Sequence, residues 1–346
     1  MRVLAINNYS LDESLKDSRK GIYPRHHCWG IDYMLDKGHK VDTMLFKPPK
    51  NCGLFRKCMY AMNFNLKLWR KINEYDVVIA FANPIIAIIA ILKKIGWVAR
   101  HTRLYTMVHH YERLTLLSTG YEKIFFLSKS VMAYTAHAYP TLMDRFEYLV
   151  WGGDIPFYEP YFKSMGLDDA QKPDVLMMNG KTARDVELFT DVCECMCMPF
   201  IVITDQADKI SGKDNVLKSG VNGQNALSYR DMLSMMKKVT VSVIPVVADK
   251  SSTSLTGLTS FVDAVILGTP VIMSDNTNIS INIDTLEMGY TYRAGDMEDF
   301  ERKIRLMVSD KDKFLRMSRN CRAWALKNDY QKYCRRLYSC IFPDSL

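Results

Sequence analysis

The sequence has no apolar run long enough to cross a bilayer. Its longest, residues 84–92, ends at Lys93-Lys94 and falls far short of the roughly 20 residues that a spanning helix needs. A buried helix accounts for it better. A signal-peptide pattern is missing too: Met1-Arg2 leads straight into Val3-Leu4-Ala5-Ile6, a strand pattern. No disulfide framework is legible. The nine cysteines are irregularly spaced and odd in number, so reduced thiols in a cytosolic protein are expected. Cys193, Cys195 and Cys197 lack Cys-x-x-Cys spacing and a nearby histidine, which argues against a metal site. No Ser-His-Asp order stands out. Asn179-Gly180-Lys181-Thr182 lacks the earlier spaced glycine of a phosphate-cleaving P-loop. No repeat of solenoid length is visible.

What is present is a globular composition. The chain has 346 residues, 48% of them apolar and 24% charged, enough for two domains of ordinary size. A formal charge of +8 favours anionic partners such as nucleotides or an anionic membrane surface. No nucleic-acid module is recognisable, so nucleic acid is not an expected partner.

The most informative stretch is residues 253–275, Thr-Ser-Leu-Thr-Gly-Leu-Thr-Ser-Phe-Val-Asp-Ala-Val-Ile-Leu-Gly-Thr-Pro-Val-Ile-Met-Ser-Asp. It reads as a polar loop, a short helix, a stop and a buried parallel strand. Ser260 is the expected N-cap, with Asp263 three residues on in a capping box. Gly268 suits the position past the helix end, and Pro270 forbids continuation. A helix start beside Gly257 and the hydroxyls of Thr256, Thr259 and Ser260 suits an anion, because its N–H groups lack internal partners. Asp263 can accept hydrogen bonds from a sugar diol, or simply close the cap.

A second anion signal lies in residues 179–185, Asn-Gly-Lys-Thr-Ala-Arg-Asp, after an expected strand. Gly180 permits a tight turn. Lys181 and Arg184, read as one helical turn apart, aim two cations at the strand's carboxyl end, where open α/β sheets bind ligands.

Residues 257–272 resemble the donor-nucleotide segment of GT-B glycosyltransferases, especially the retaining group called family four. Asp263 takes the place of that family's ribose-binding Glu, and Leu255 stands where it often has a sugar-contacting Glu. Residues 180–185 resemble its diphosphate loop, residues 151–158 the end of its first domain, and residues 289–296 its turn before a late helix. The resemblance implies an α/β fold of two Rossmann-like domains facing a cleft. Residues 1–165 would bind acceptor, joined by a returning helix at 325–346, and residues 170–324 would bind donor. It implies a UDP- or GDP-linked sugar donor and no separate cofactor, and no metal is expected because Asp310-Lys311-Asp312 reads as a solvated turn and not a metal site. Gly180, Lys181, Arg184, Thr256, Gly257, Leu258, Thr259, Ser260 and Asp263 would hold the donor. The acceptor would be a glycan or lipid-linked glycan at the cytoplasmic membrane face.

In the first half, residues 10–21 read as a mobile loop and residues 24–34 as one helix opened by Pro24. Residues 55–71 form a basic, aromatic helix. A membrane surface suits it, but charge and apolar residues interleave without one clean face, which favours packing on the sheet. His26, His27, His109 and His110 fall at strand ends or a helix start. Imidazole there can hold or deprotonate an acceptor hydroxyl. His109 is the expected catalytic histidine, alongside Lys181 and Arg184, and His26, His27 and His110 the acceptor contacts. Residues 128–145 contain a helix, residues 162–173 read as a linker and residues 311–338 as a basic helix. Gly152-Gly153-Asp154 reads as a structural hinge. Two other functions fit the same scaffold: a nucleotide-sugar epimerase, and a non-catalytic subunit that binds nucleotide sugar.

Overall fold

The computed structural model describes residues 1–49, 53–82, 85–111, 120–162, 174–204, 216–218, 227–249 and 254–343. The expected linker at 162–173 lies, beyond Phe162, outside them. The chain divides into two units, Met1–Trp151 with Tyr330–Leu346, and Gly152–Asp329. The first unit thus ends at Trp151, short of the 1–165 span expected from sequence.

In the first unit β1 (Arg2–Asn7), α1 (Leu11–Arg19), α2 (Ile31–Asp36), β2 (Lys40–Leu45), α3 (Leu54–Trp69), β3 (Val77–Ala80), α4 (Ala87–Lys94), β4 (Arg103–Val108), β5 (Lys123–Phe126), α5 (Lys129–Ala138) and β6 (Phe146–Tyr148) follow one another. The six strands pair in parallel in the order β2-β1-β3-β4-β5-β6. Val3, Ile6, Val78, Ile79 and Phe125 are buried, as central parallel strands covered on both faces require.

The second unit holds α6 (Ile155–Phe162), β7 (Leu176–Asn179), α7 (Val186–Cys195), β8 (Phe200–Thr204), β9 (Val216–Lys218), α8 (Tyr229–Met236), β10 (Val241–Ile244), α9 (Leu258–Ile266), β11 (Val271–Ser274), β12 (Gly289–Tyr292), α10 (Met297–Val308) and α11 (Lys311–Lys327). Its strands are parallel in the order β12-β11-β10-β7-β8-β9. The chain leaves β7 toward β8 and returns on β7's other side at β10. This reversal places a ligand crevice at the carboxyl ends of β7 and β10.

Several local expectations are corrected. Residues 10–21 are not a loop: Ser10 caps α1, its Oγ accepting from the Glu13 N–H at 3.2 Å, and Leu11 and Leu15 are buried. The 24–34 helix is two pieces, a 3-10 turn at Arg25–Cys28 and α2, separated by Trp29 (φ 58°) and Gly30 (φ 89°). Two successive left-handed residues cannot continue a right-handed helix. Residues 128–145 do contain a helix, α5, followed by a 3-10 turn at Pro140–Arg145. The basic C-terminal helix breaks after Lys327, and α12 (Tyr330–Ile341) belongs to the first unit. Asp310 is the N-cap of α11, accepting from the Lys313 N–H at 2.9 Å.

Tyr330 anchors α12. Its buried hydroxyl donates to Asp32 Oδ1 and accepts from the Gly30 N–H at 2.7 Å. Further along, His39 stacks on Phe342 with ring centroids 4.2 Å apart. Tyr330→Phe leaves a buried N–H and a carboxylate short of a partner. It is expected to cost roughly 2–3 kcal/mol of unfolding free energy, read by urea denaturation. A loss below about 0.5 kcal/mol would show that the hydroxyl is not an anchor.

Candidate functional site

The crevice of the second unit is built on one loop. Gly180 follows β7 with φ 138°, and Ala183 adopts φ 51°. Asp185 then caps α7, accepting from the Leu188 N–H at 3.1 Å. Arg184 thus lies in the loop and not in the helix, correcting the helical-turn spacing to Lys181. The loop is tied to the chain beyond β10: the Asp185 N–H donates to Pro245 O at 3.0 Å and the Val247 N–H to Ala183 O at 3.2 Å. The tie directs Arg184 inward.

Arg184 is 5% exposed. Its Nη1 donates to Thr182 O at 3.0 Å, its Nε to Asn179 O at 3.4 Å and its Nη2 to Ser260 Oγ at 3.1 Å. These acceptors are neutral, and among the described residues no carboxylate pairs with it. Burial lowers its pKa to about 10. Two glycines make room for the guanidinium. A Cβ at Gly180 would stand 2.5 Å from Nη2; one at Gly257 (φ 86°) would stand 2.4 Å from Ile244 Cγ2 and 3.5 Å from Nη2.

The start of α9 reaches the same place. Its N-cap is Gly257, not Ser260, and no side chain caps it. Ser260 is inside the first turn, where its Oγ donates to Asn179 O at 2.9 Å while accepting from Arg184. The capping box is therefore absent, and Ser260 spends its hydroxyl on the loop after β7. The N–H groups of the first turn lack helical partners. Thr256 and Ser260 are buried, Leu258 and Lys181 half-buried, and Thr259 exposed.

Asp263, one turn further, is 1% exposed. Its Oδ1 accepts from Tyr158 of α6 and, at 2.6 Å, from Tyr229 of α8. Burial raises its pKa to about 7, against the opposing pull of the two hydroxyls. Burial likewise raises the pKa of both tyrosines. Neither tyrosine was singled out from sequence. Gly153, in place of a hinge role alone, lets the chain pass α9: a Cβ there would stand 2.0 Å from Ile266 Cδ1.

In the first unit an aromatic cluster sits at the carboxyl ends of β1, β3 and β4. Trp29 stacks between Phe81 and Trp151, at 5.7 and 5.5 Å between centroids, and meets His109 edge-on at 5.4 Å. Its indole donates to Tyr9 Oη, which donates to His27 O at 2.8 Å. His109 Nε2 lies 2.9 Å from Phe81 O. A carbonyl there makes Nε2 the protonated nitrogen and leaves Nδ1 as an acceptor. Burial lowers the His109 pKa to about 4, too low for efficient deprotonation of a hydroxyl at neutral pH. His26 is fully buried, edge-on to Trp151 at 4.8 Å. It is a core residue and does not present its ring to an acceptor. His27 is half-buried against Tyr23 and His26, and burial lowers its pKa to about 3. His110 is exposed.

No family model and no curated protein matches the chain. Solved structures do. HepE of Anabaena, crystallised with UDP and glucose, is 13% identical with a TM-score of 0.65, covering 99% of this chain and 100% of its own. WaaG, a glycosyltransferase of lipopolysaccharide biosynthesis, is 13% identical with a TM-score of 0.64, covering 99% of each. Sucrose-phosphate synthase of Thermosynechococcus elongatus is 11% identical with a TM-score of 0.70, covering 99% of this chain and 100% of its own. Over its full length the chain thus shares the two-unit α/β fold of these proteins.

Proposed function

We propose that this chain with the GT-B fold is a glycosyltransferase that moves a hexosyl unit from a nucleoside diphosphate sugar to a hydroxyl. One observation carries the reading: a buried guanidinium that no carboxylate among the described residues pairs with, set against the open start of a helix. An unpaired buried charge is costly, and a diphosphate is the counter-ion that this geometry fits. Lys181 adds a second cation on the same loop. Asp263 takes the ribose through Oδ2, since both tyrosine hydroxyls fall on Oδ1.

In the transfer, the bond from the anomeric carbon to the diphosphate oxygen breaks and a bond to the acceptor oxygen forms. The acceptor proton passes to a diphosphate oxygen on the departing side, which suits retention. Arg184 and the amides of residues 257–260 meet the charge growing on the leaving group, so this reading routes no step through a metal. Asp310 of the Asp-x-Asp spelling is already occupied as a helix cap. His109 acts as a positioning group, its Nδ1 accepting from a sugar or acceptor hydroxyl. We place the reaction at the cytoplasmic face of a membrane, on a glycan or lipid-linked glycan.

Thermal shift and calorimetry with UDP, GDP and their sugars test the donor site. Wild type is expected to be stabilised by one of these nucleotides, and Lys181→Ala to weaken that nucleotide roughly tenfold, the loss of one charge contact from a half-buried lysine. No shift with any nucleotide would overturn the reading. Leu255 favours a second one, in which the chain binds nucleotide sugar as a non-catalytic subunit. Donor binding without hydrolysis, epimerisation or transfer across a panel of acceptors would select it.

A further inference from the structure

The first unit carries an apolar surface that neither its core nor the donor site uses. In α3 only Phe64, Asn65 and Leu68 are buried. Phe55, Met59, Met62, Leu66 and Trp69 are 77%, 39%, 42%, 47% and 37% exposed. They recur at alternating spacings of four and three residues, so they line one side of the helix, within roughly 80° of arc. Leu54, 77% exposed, extends this surface at the helix start. Buried Phe64 and Leu68 lie on the opposite side, and Asn65 falls at one edge of the stripe. The expectation of a helix simply packed on the sheet therefore holds for its second half alone.

The stripe meets the segment that follows α4. The Trp69 indole donates to Trp97 O at 3.0 Å, and Trp97 is itself 61% exposed. Ile88, Ile91 and Ile95 are exposed alongside. By helical spacing, Arg56, Lys67 and Arg70 flank one edge of the α3 stripe. Residues 43–73 contain seven Lys or Arg and no Asp or Glu; residues 77–111 contain four and none.

We propose that this face of α3 and α4 docks on an anionic lipid bilayer. Phe55, Leu54 and the stripe enter the acyl boundary, and the flanking cations meet the headgroups, the arrangement of an interfacial helix. The charge pattern argues against a second copy of the chain, which would set Arg56, Lys67 and Arg70 against their own copies. The inference deepens the membrane location proposed above and is independent of the donor site.

Co-sedimentation with vesicles tests it. Vesicles of phosphatidylcholine alone are compared with equal parts phosphatidylcholine and phosphatidylglycerol. Wild type is expected to bind the anionic vesicles and to be released by high salt. Phe55→Ser with Met59→Ser, both at exposed positions, is expected to lower the partition coefficient at least tenfold. Arg56→Glu with Arg70→Glu should lower it by roughly fivefold or more per site. An unchanged nucleotide-induced thermal shift in each variant shows that the fold and donor site are intact. Wild-type binding that both variants retain overturns this surface and leaves membrane attachment standing elsewhere. No binding of wild type to anionic vesicles overturns both, including where the face instead captures an acidic protein. Neither outcome bears on nucleotide binding.

Discussion

Arg184→Met is expected to abolish the nucleotide-induced thermal shift while leaving the unliganded protein folded, with a melting temperature close to wild type. The two effects differ because the guanidinium has different surroundings in the two states. Without ligand it is 5% exposed and bonded to Asn179 O, Thr182 O and Ser260 Oγ. Those bonds stabilise the loop, but desolvation of an unpaired charge opposes them. The lowered pKa has burial as its cause. Replacing a buried charge with an apolar side chain of similar volume is often neutral or stabilising. With a diphosphate bound, the same charge gains a desolvated, charge-assisted partner worth about 2–4 kcal/mol. Affinity should therefore fall by roughly 30- to 1,000-fold. Calorimetry with the nucleotide that stabilises wild type measures it. Undiminished affinity in a folded Arg184→Met protein would sink the donor-site assignment. Arg184→Lys is expected to recover little, since one ammonium cannot hold three fixed acceptors and a diphosphate together.

The parts of this site that were legible in the sequence are those set by local chemistry. Gly268 and Pro270 end α9 because a left-handed stop and a missing N–H leave few other conformations. Val271-Ile272-Met273 is apolar and β-prone, and β11 lies there. The loop after β7 was legible as a place for cations, because Gly180 and Arg184 follow a buried strand. What was illegible depends on tertiary partners. Ser260 looked like a cap because nothing local shows that Asn179 O, 81 residues away, takes its hydroxyl. Asp263 read as a diol acceptor or a cap residue, and nothing local shows Tyr158 and Tyr229, 105 and 34 residues distant, on its carboxylate. The histidines misled for a similar reason. His26 sits in a polar-looking stretch, yet the left-handed turn at Trp29 and Gly30 folds it against Trp151. α1 was hidden by its charge, since only Leu11 and Leu15 mark an apolar side. The exposed apolar stripe of α3 was blurred by a second apolar side that packs on the core, so the sequence showed no one clean face.

Asp263→Asn should separate the variant from wild type increasingly as pH rises. Burial lifts the Asp263 carboxyl from 3.8 to about 7 in the folded protein. Below the lower value both states hold the proton, and this residue contributes no pH dependence. Between the two values the folded state keeps a proton that the unfolded chain has released. Folding stability from this group therefore falls as pH rises through that window, and the deficit is constant above it. A shift of this size corresponds to roughly 4 kcal/mol at most. Asparagine carries no charge to desolvate, and its carbonyl oxygen can still accept from Tyr158 and Tyr229. Denaturant titrations at pH 4 and pH 8 should show the variant gaining about 2–4 kcal/mol on wild type between them. The comparison must be made as a difference. His26, His27 and His109, whose pKa values burial lowers, pull the stability of both proteins the other way over much of the same range. Parallel curves for variant and wild type would mean that Asp263 is ionised in the fold, with its charge met by more than two tyrosine hydroxyls. In that case its carboxylate would be held open for a ligand's diol at neutral pH, and Asp263→Asn would lose nucleotide affinity in place of gaining stability.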